Sequence, residues 1–263
     1  MGAIWEHIQI LPADKVQELI SGKAVVGESV VPVPPGKVTD KKVVILIPHQ
    51  GDVSMEWAIM WQQLPLMVGS HYSMSKGSPI DITRDTMANN ALDQGYEWMF
   101  FLDSDVLPPK DVIQKLLSHN LPIVAGLYKA RKPEGFTWAA WIRGVTPTGD
   151  VAFAPIASWG KDSRLFQADV TGCGCMLVHR DVFLKIREKF PDLPFFFWSN
   201  TREKRVLDKM NIPDPAMRNV SEDFWFCLLA KQAGFSIVMD GEAICEHVSV
   251  VKIGPDNVTL TKA

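Results

Sequence analysis

Two short runs of the chain are apolar at every position, Val43 to Ile47 (VVILI) and Trp98 to Leu102 (WMFFL). Neither alternates with polar residues, so neither suits a half-exposed sheet. The pattern predicts central strands covered on both faces. Around them the rhythm changes to helical spacing. Ser54 to Leu66 reads as a helix. So does Asp81 to Gln94, with Ile82, Met87, Ala88, Ala91 and Leu92 as its apolar positions and Gly95 as its terminator. Met67 to Ser73 is a further strand candidate, followed by a loop to Pro79. Pro108 and Pro109 open a helix over Lys110 to Ser118, and Leu121 to Ala125 reads as a strand. This alternation of strands and helices predicts a doubly wound α/β sheet.

The second half is less regular. Lys129 to Ser163 is rich in Gly, Pro and Trp and predicts short antiparallel strands and loops. Thr171-Gly172-Cys173-Gly174 is a Gly-rich turn ahead of the apolar run Cys175 to Val178. Asp181 to Lys189 reads as a helix, Pro191 to Asp214 as a long loop, Ser221 to Ala233 as a helix closed by Gly234, and Phe235 to Met239 as a strand. Residues 1–40 form an appendage. It carries a helical rhythm around Val16, Leu19 and Ile20, then the stiff connector VPVPPG from Val31. The main folded domain is expected over residues 41–263.

Composition narrows the class without choosing an activity. A hydrophobic share of 47% and a charged share of 22% are those of an ordinary globular protein. The net charge of -3 gives no support to a nucleic-acid partner. An anionic ligand therefore needs a local solution, such as a metal ion or a few placed cations. No run approaches the roughly 20 apolar residues that cross a bilayer, and the N-terminus lacks the apolar segment of a signal peptide. The expectation is a cytoplasmic protein with no transmembrane segment, peripheral membrane contact remaining open. Cys173, Cys175, Cys227 and Cys245 do not have zinc-ribbon spacing and read as free thiols.

Candidate chemistry gathers at strand ends. Asp103-Ser104-Asp105 directly follows WMFFL, and ligands of open α/β sheets bind at the carboxyl ends of strands. Two carboxylates one residue apart suit one hard cation, Mn²⁺ or Mg²⁺. Glu222-Asp223 opens a helix, where negative charge is favoured for capping and also suits a general base. His247 lies beyond a strand end and is either structural or an imidazole ligand. His49, after the first strand, competes for substrate contact. Arg84 is either a surface residue or a phosphate contact. Gly172 and Gly174 are turn residues or places where a sugar approaches the backbone. Trp138, Trp141, Trp159 and Trp198 suit sugar stacking and core packing equally.

Taken in order, VVILIP at Val43, ITRDTMANNAL at Ile82, FFLDSDVLPP at Phe100, VTGCGCMLVHRDVF at Val170, SEDFWFCLLAKQAGF at Ser221 and the late His247 resemble the GT-A glycosyltransferases, especially their family-2-like group. The resemblance spans roughly residues 41–250. It implies a Rossmann-like, doubly wound mixed α/β sheet with a smaller irregular acceptor-side region. It also implies transfer of a sugar from a UDP- or GDP-sugar to an acceptor hydroxyl, with Mn²⁺ or Mg²⁺ as cofactor. By the same resemblance Asp105 is the main metal ligand, Asp103 binds the donor ribose or shares the metal, and His247 is the third ligand. Arg84, Ser104, Pro48 and His49 fall on the donor side, and Gly172, Cys173 and Gly174 on the acceptor side. Asp223, beside Glu222, is the catalytic base of an inverting enzyme. The chain departs from the processive synthases in lacking their Q-x-x-R-W motif. Its first strand ends in Pro48-His49-Gln50-Gly51, not in the usual turn. A nucleotidyltransferase and a catalytically inactive nucleotide-sugar-binding domain are the rival readings. The former normally places a basic, Gly-rich loop where this chain has Gly51 with no adjacent Lys or Arg.

Overall fold

The computed structural model describes residues 43–49, 51, 53–65, 71–76, 79–132, 135–158, 164–248, 251–253 and 258–260. The N-terminal appendage and Trp159 lie outside them. The first half runs β1 (Val43–His49), α1 (Met55–Gln63), β2 (His71–Lys76), α2 (Ile80–Asp93), β3 (Trp98–Leu102), β4 (Val106–Leu107), α3 (Val112–Ser118) and β5 (Ile123–Leu127). Then come five short strands: β6 (Lys129–Lys132), β7 (Gly135–Trp138), β8 (Ala140–Val145), β9 (Val151–Pro155) and β10 (Leu165–Ala168). The chain continues through β11 (Val170–Thr171), β12 (Cys175–His179), α4 (Arg180–Lys189), α5 (Lys204–Leu207), α6 (Glu222–Gln232), β13 (Ile237–Ile244) and β14 (Glu246–His247). A hairpin follows, β15 (Val251–Ile253) and β16 (Val258–Leu260).

Seven strands form one mixed sheet in the order β10-β13-β5-β12-β3-β1-β2. β2, β1, β3, β5 and β13 all run the same way. β12 is inserted antiparallel between β3 and β5, and β10 closes the far edge antiparallel to β13. Every residue of β3, β5 and β12 is buried, which is why these segments are apolar without alternation. The mixed α/β fold expected from the sequence is therefore present. β2 lies further along the chain than the expected Met67 to Ser73. It is an edge strand with mostly exposed side chains, so its sequence HYSMSK carries little apolar signal. The irregular region resolves into the β6–β7 hairpin and the three-stranded sheet β11-β8-β9. Among the described residues no helix is long and apolar enough to cross a membrane.

The long segment after α4 is fastened to α2. Asp85 Oδ1 accepts from the backbone N–H of Phe195 at 2.7 Å and of Phe196 at 3.3 Å. Asp81 Oδ2 accepts from the Trp198 backbone at 3.2 Å and from Arg202 at 2.7 Å. These carboxylates satisfy backbone donors that a loop leaves unpaired. They also fix the helix that carries Arg84.

Candidate functional site

The inserted strand sets up the site, because its first residues lie beside the carboxyl end of β3. Asp103 N–H donates to the Gly174 carbonyl at 3.1 Å. The Asp103 carbonyl in turn accepts from Val106 N–H at 3.1 Å and from the Trp57 indole at 3.1 Å. The Asp-Ser-Asp turn is thus held from three elements. Next to it, β14 pairs antiparallel with β4, placing His247 opposite Val106, and Val248 N–H donates to the Asp105 carbonyl at 2.7 Å. This two-residue ladder brings His247 Nε2 to 3.2 Å from Asp105 Oδ2.

The His247 ring is oriented from behind. Its Nδ1 lies 2.7 Å from the Lys129 carbonyl, and its ring meets that of Tyr128 edge to face at 5.4 Å between centroids. A carbonyl only accepts, so Nδ1 carries the hydrogen. Neutral His247 then points a lone pair at a carboxylate oxygen, an arrangement that calls for a shared cation. A proton supplies one, and His247 is accordingly raised above its ordinary pKa, first by the Asp105 hydrogen bond, against burial, with help from the Lys129 carbonyl. A metal ion is the other cation that the pair could share. An imidazole whose second nitrogen is fixed by a backbone carbonyl is the usual support of a histidine ligand. Both side chains remain reachable, at 24% and 39% exposure. Among the described residues no three His, Cys, Asp or Glu side chains already form a cluster for a metal. A cation held here draws further ligands from substrate oxygens or water, as Mg²⁺ ordinarily does.

Arg84 is the largest departure from the sequence expectation. Its guanidinium does not reach out to a donor; it is buried, 3% exposed, among three carboxylates. Nη2 donates to Asp103 at 2.5 Å, and Nη1 donates to Glu222 at 2.5 Å and to Asp223 at 2.6 Å. Arg84 therefore joins the β3 end to the start of α6. Asp105 stands next to Asp103 and adds a fourth negative charge to the neighbourhood without touching the guanidinium. Burial raises the Asp103 pKa from its ordinary value in spite of Arg84. Glu222, also buried, is pushed up to about 8, by desolvation first and then by Asp223. Glu222 thus lies beneath the site. Asp223 is more exposed at 21%, with Oδ1 held by Arg84.

A pH prediction follows from Glu222. Its folded pKa exceeds the ordinary 4.5, so between that value and about 8 the folded state binds more protons than the unfolded one. The stability that Glu222 contributes falls as pH rises through this window, by at most about 1.4 kcal/mol per pH unit. Glu222→Gln is expected to flatten that slope in urea titrations between pH 5 and 8. An unchanged slope would assign it to other groups.

The Gly172 turn is also placed differently from expectation. Gly172, Cys173 and Gly174 are buried, and the Tyr128 ring fills the space over both glycines. A Cβ on Gly172 would lie 2.0 Å from the Tyr128 hydroxyl, and one on Gly174 2.9 Å from it. The glycines make room for Tyr128, which accepts from Gly174 N–H at 3.2 Å, and not for a sugar. Gly172→Ala is expected to cost about 1–3 kcal/mol by overpacking, with partial recovery when Tyr128→Phe removes the hydroxyl. Full additivity of the two changes would rule out this contact.

Pro48 is buried and His49 half-buried at the end of β1, beside the Asp-Ser-Asp turn, and Ser104 is half-buried within it. Trp141 is a core residue, its ring 4.9 Å from Phe224, whereas Trp138 lies on the cavity wall next to His247. All four cysteines are buried and free. Sequence reasoning missed Tyr128 and Trp57, whose roles depend on contacts distant in the chain.

No protein-family model and no curated protein matches this chain. Among solved structures it resembles the protein A197 from STIV, with a TM-score of 0.48 and 15% identity over 84% of this chain and 95% of that one. It also resembles a mannose-1-phosphate geranyltransferase from Thermus thermophilus, with a TM-score of 0.37 and 10% identity over 76% and 74% of the two chains. Neither likeness carries an activity across to this chain.

Proposed function

We propose that this chain is a metal-assisted glycosyltransferase of the GT-A type, moving a sugar from a nucleoside-diphosphate sugar to an acceptor hydroxyl with inversion. The observation that carries the reading is the Asp105–His247 pair, 3.2 Å apart, with the outer imidazole nitrogen tied to the Lys129 carbonyl. The carboxylate, in a field of excess negative charge, suits either Mn²⁺ or Mg²⁺, and the oriented imidazole favours Mn²⁺ of the two. The chemistry supplied by that ion when bound is Lewis-acid stabilisation of a leaving diphosphate.

The chain's own residues do the remaining work. Asp103 and Asp105 project from a turn fixed by β12, α1 and β14. Arg84 holds Asp103 and Asp223 in one frame. Asp223, with one oxygen on Arg84, takes the proton of the acceptor hydroxyl as the acceptor oxygen attacks the anomeric carbon. The bond from that carbon to the diphosphate breaks, the nucleoside diphosphate leaves with the electron pair, and a single displacement inverts the centre. Glu222 remains beneath as a buried partner of Arg84.

The test is incubation with UDP- and GDP-sugars, Mn²⁺ and simple glycoside acceptors, following released nucleotide and the product's anomeric coupling by NMR. Nucleoside diphosphate and an inverted linkage are expected. Pyrophosphate released from a nucleoside triphosphate and a sugar phosphate would instead establish nucleotidyl transfer. A retained configuration would reassign Asp223 to acceptor binding.

A further inference from the structure

A cavity of about 380 Å³ adjoins the Asp105–His247 pair, with His247 forming one of its walls. Its other walls include Lys129, Phe136, Trp138, Ile244 and Glu246. Two of these are apolar side chains left open to solvent, Phe136 at 63% and Ile244 at 48% exposure. Apolar surface gathered around a concavity marks a place where something binds. The polar groups are few and differ in sign. The Lys129 ammonium lies 5.0 Å from the centroid of the Trp138 ring, and Glu246 presents an exposed carboxylate. Among the described residues Lys129 has no ion-pair partner.

We propose that this cavity is the acceptor subsite and that it takes an anionic sugar, a pyranose bearing a phosphate or a carboxylate. The proposal rests on the glycosyltransferase reading. The apolar face of a pyranose packs on the Trp138 and Phe136 rings. Ring hydroxyls donate to Glu246. The anionic substituent meets the Lys129 ammonium in a charge-assisted contact that a neutral sugar cannot make. The ring lies alongside His247, next to the position where a donor diphosphate would be bound. The Lys129 backbone already orients His247 through its carbonyl, so the same residue sets the cation pair and reads the acceptor charge.

The experiment titrates the full chain with glucose 1-phosphate, glucuronate and methyl glucoside, following tryptophan fluorescence and ligand NMR. At least one anionic sugar is expected to bind about tenfold more tightly than methyl glucoside, the worth of one charge-assisted contact. Comparing the two anionic probes tells phosphate from carboxylate. Lys129→Gln is expected to bring the anionic-to-neutral ratio close to one, a change that general loss of fold does not produce. Trp138→Ala should weaken all the sugars that bind. Equal binding of charged and neutral sugars, or an anionic preference that survives Lys129→Gln, would overturn the proposal. UDP with Mn²⁺ is titrated separately into the same protein. Failure of that titration with a Lys129-dependent sugar preference intact removes the glycosyltransferase reading and leaves an anionic-sugar site. The reverse pattern removes the acceptor subsite alone.

Discussion

Replacing Arg84 by Met is expected to destabilise the folded protein by about 3–5 kcal/mol, the cost of removing one partner from a buried ionic cluster. The methionine side chain fills much of the same volume, so the loss is electrostatic and not a cavity effect. Asp103, Glu222 and Asp223 would remain close together with no cation between them, two of them already raised in pKa by burial. The end of β3 and the start of α6 would separate or take up protons. Arg84→Lys keeps the charge but offers a compact ammonium in place of a planar fork, and cannot span the same carboxylates. Its cost should be intermediate, about 1–3 kcal/mol, that of a buried group left unsatisfied. Urea unfolding at pH 7 measures both variants. A loss under about 1 kcal/mol for Arg84→Met would mean that the carboxylates relax or protonate at little cost, and that Arg84 is not what holds the site together.

The same cluster shows which parts of this protein were legible in its sequence. β1 and β3 could be read directly, because a strand buried on both faces has to be apolar at every position. The terminators Gly95 and Gly234 were equally clear, and both have positive φ, +80° and +100°. The antiparallel insertion of β12 could not be read, since CMLVH looks the same in either direction. Asp103, Asp105 and Asp223 stood out as acidic groups at element ends. What binds them did not: Arg84 and Glu222 are 138 residues apart, and no local pattern records that separation. Arg84 drew notice as an arginine before the Asp-Ser-Asp strand, yet whether it faces a ligand or three carboxylates depends on burial, which helical spacing alone does not give. Gly172 and Gly174 were visible as small residues, but the reason for their size, the Tyr128 ring, comes from a distant part of the chain. The meeting of His247 with Asp105 depends on a two-residue ladder between β4 and β14, too short to leave a periodic signal.

Asp105→Asn and His247→Ala are each expected to remove cation-dependent binding of UDP or GDP and to lower transfer by about 10²–10³-fold, the usual cost of losing one stabiliser of developing charge. Metal-free stability should stay within about 0.5 kcal/mol of the parent for Asp105→Asn, because the side chain is 39% exposed and serves no part of the core. The informative measurement is the double variant. If both residues act by holding the same ion, either change alone already loses it, and the double variant should be little worse than the worse single one. If the two act independently, for instance with His247 only orienting β14, their effects on nucleotide affinity should multiply. Calorimetric titration of UDP with Mn²⁺ and then with EDTA provides both comparisons. Equal affinity under the two conditions in the parent protein would remove the metal from the account. His247→Ala with unchanged Mn²⁺ dependence and a large drop in metal-free stability would assign the imidazole to the fold, leaving Asp105 paired with a structural cation.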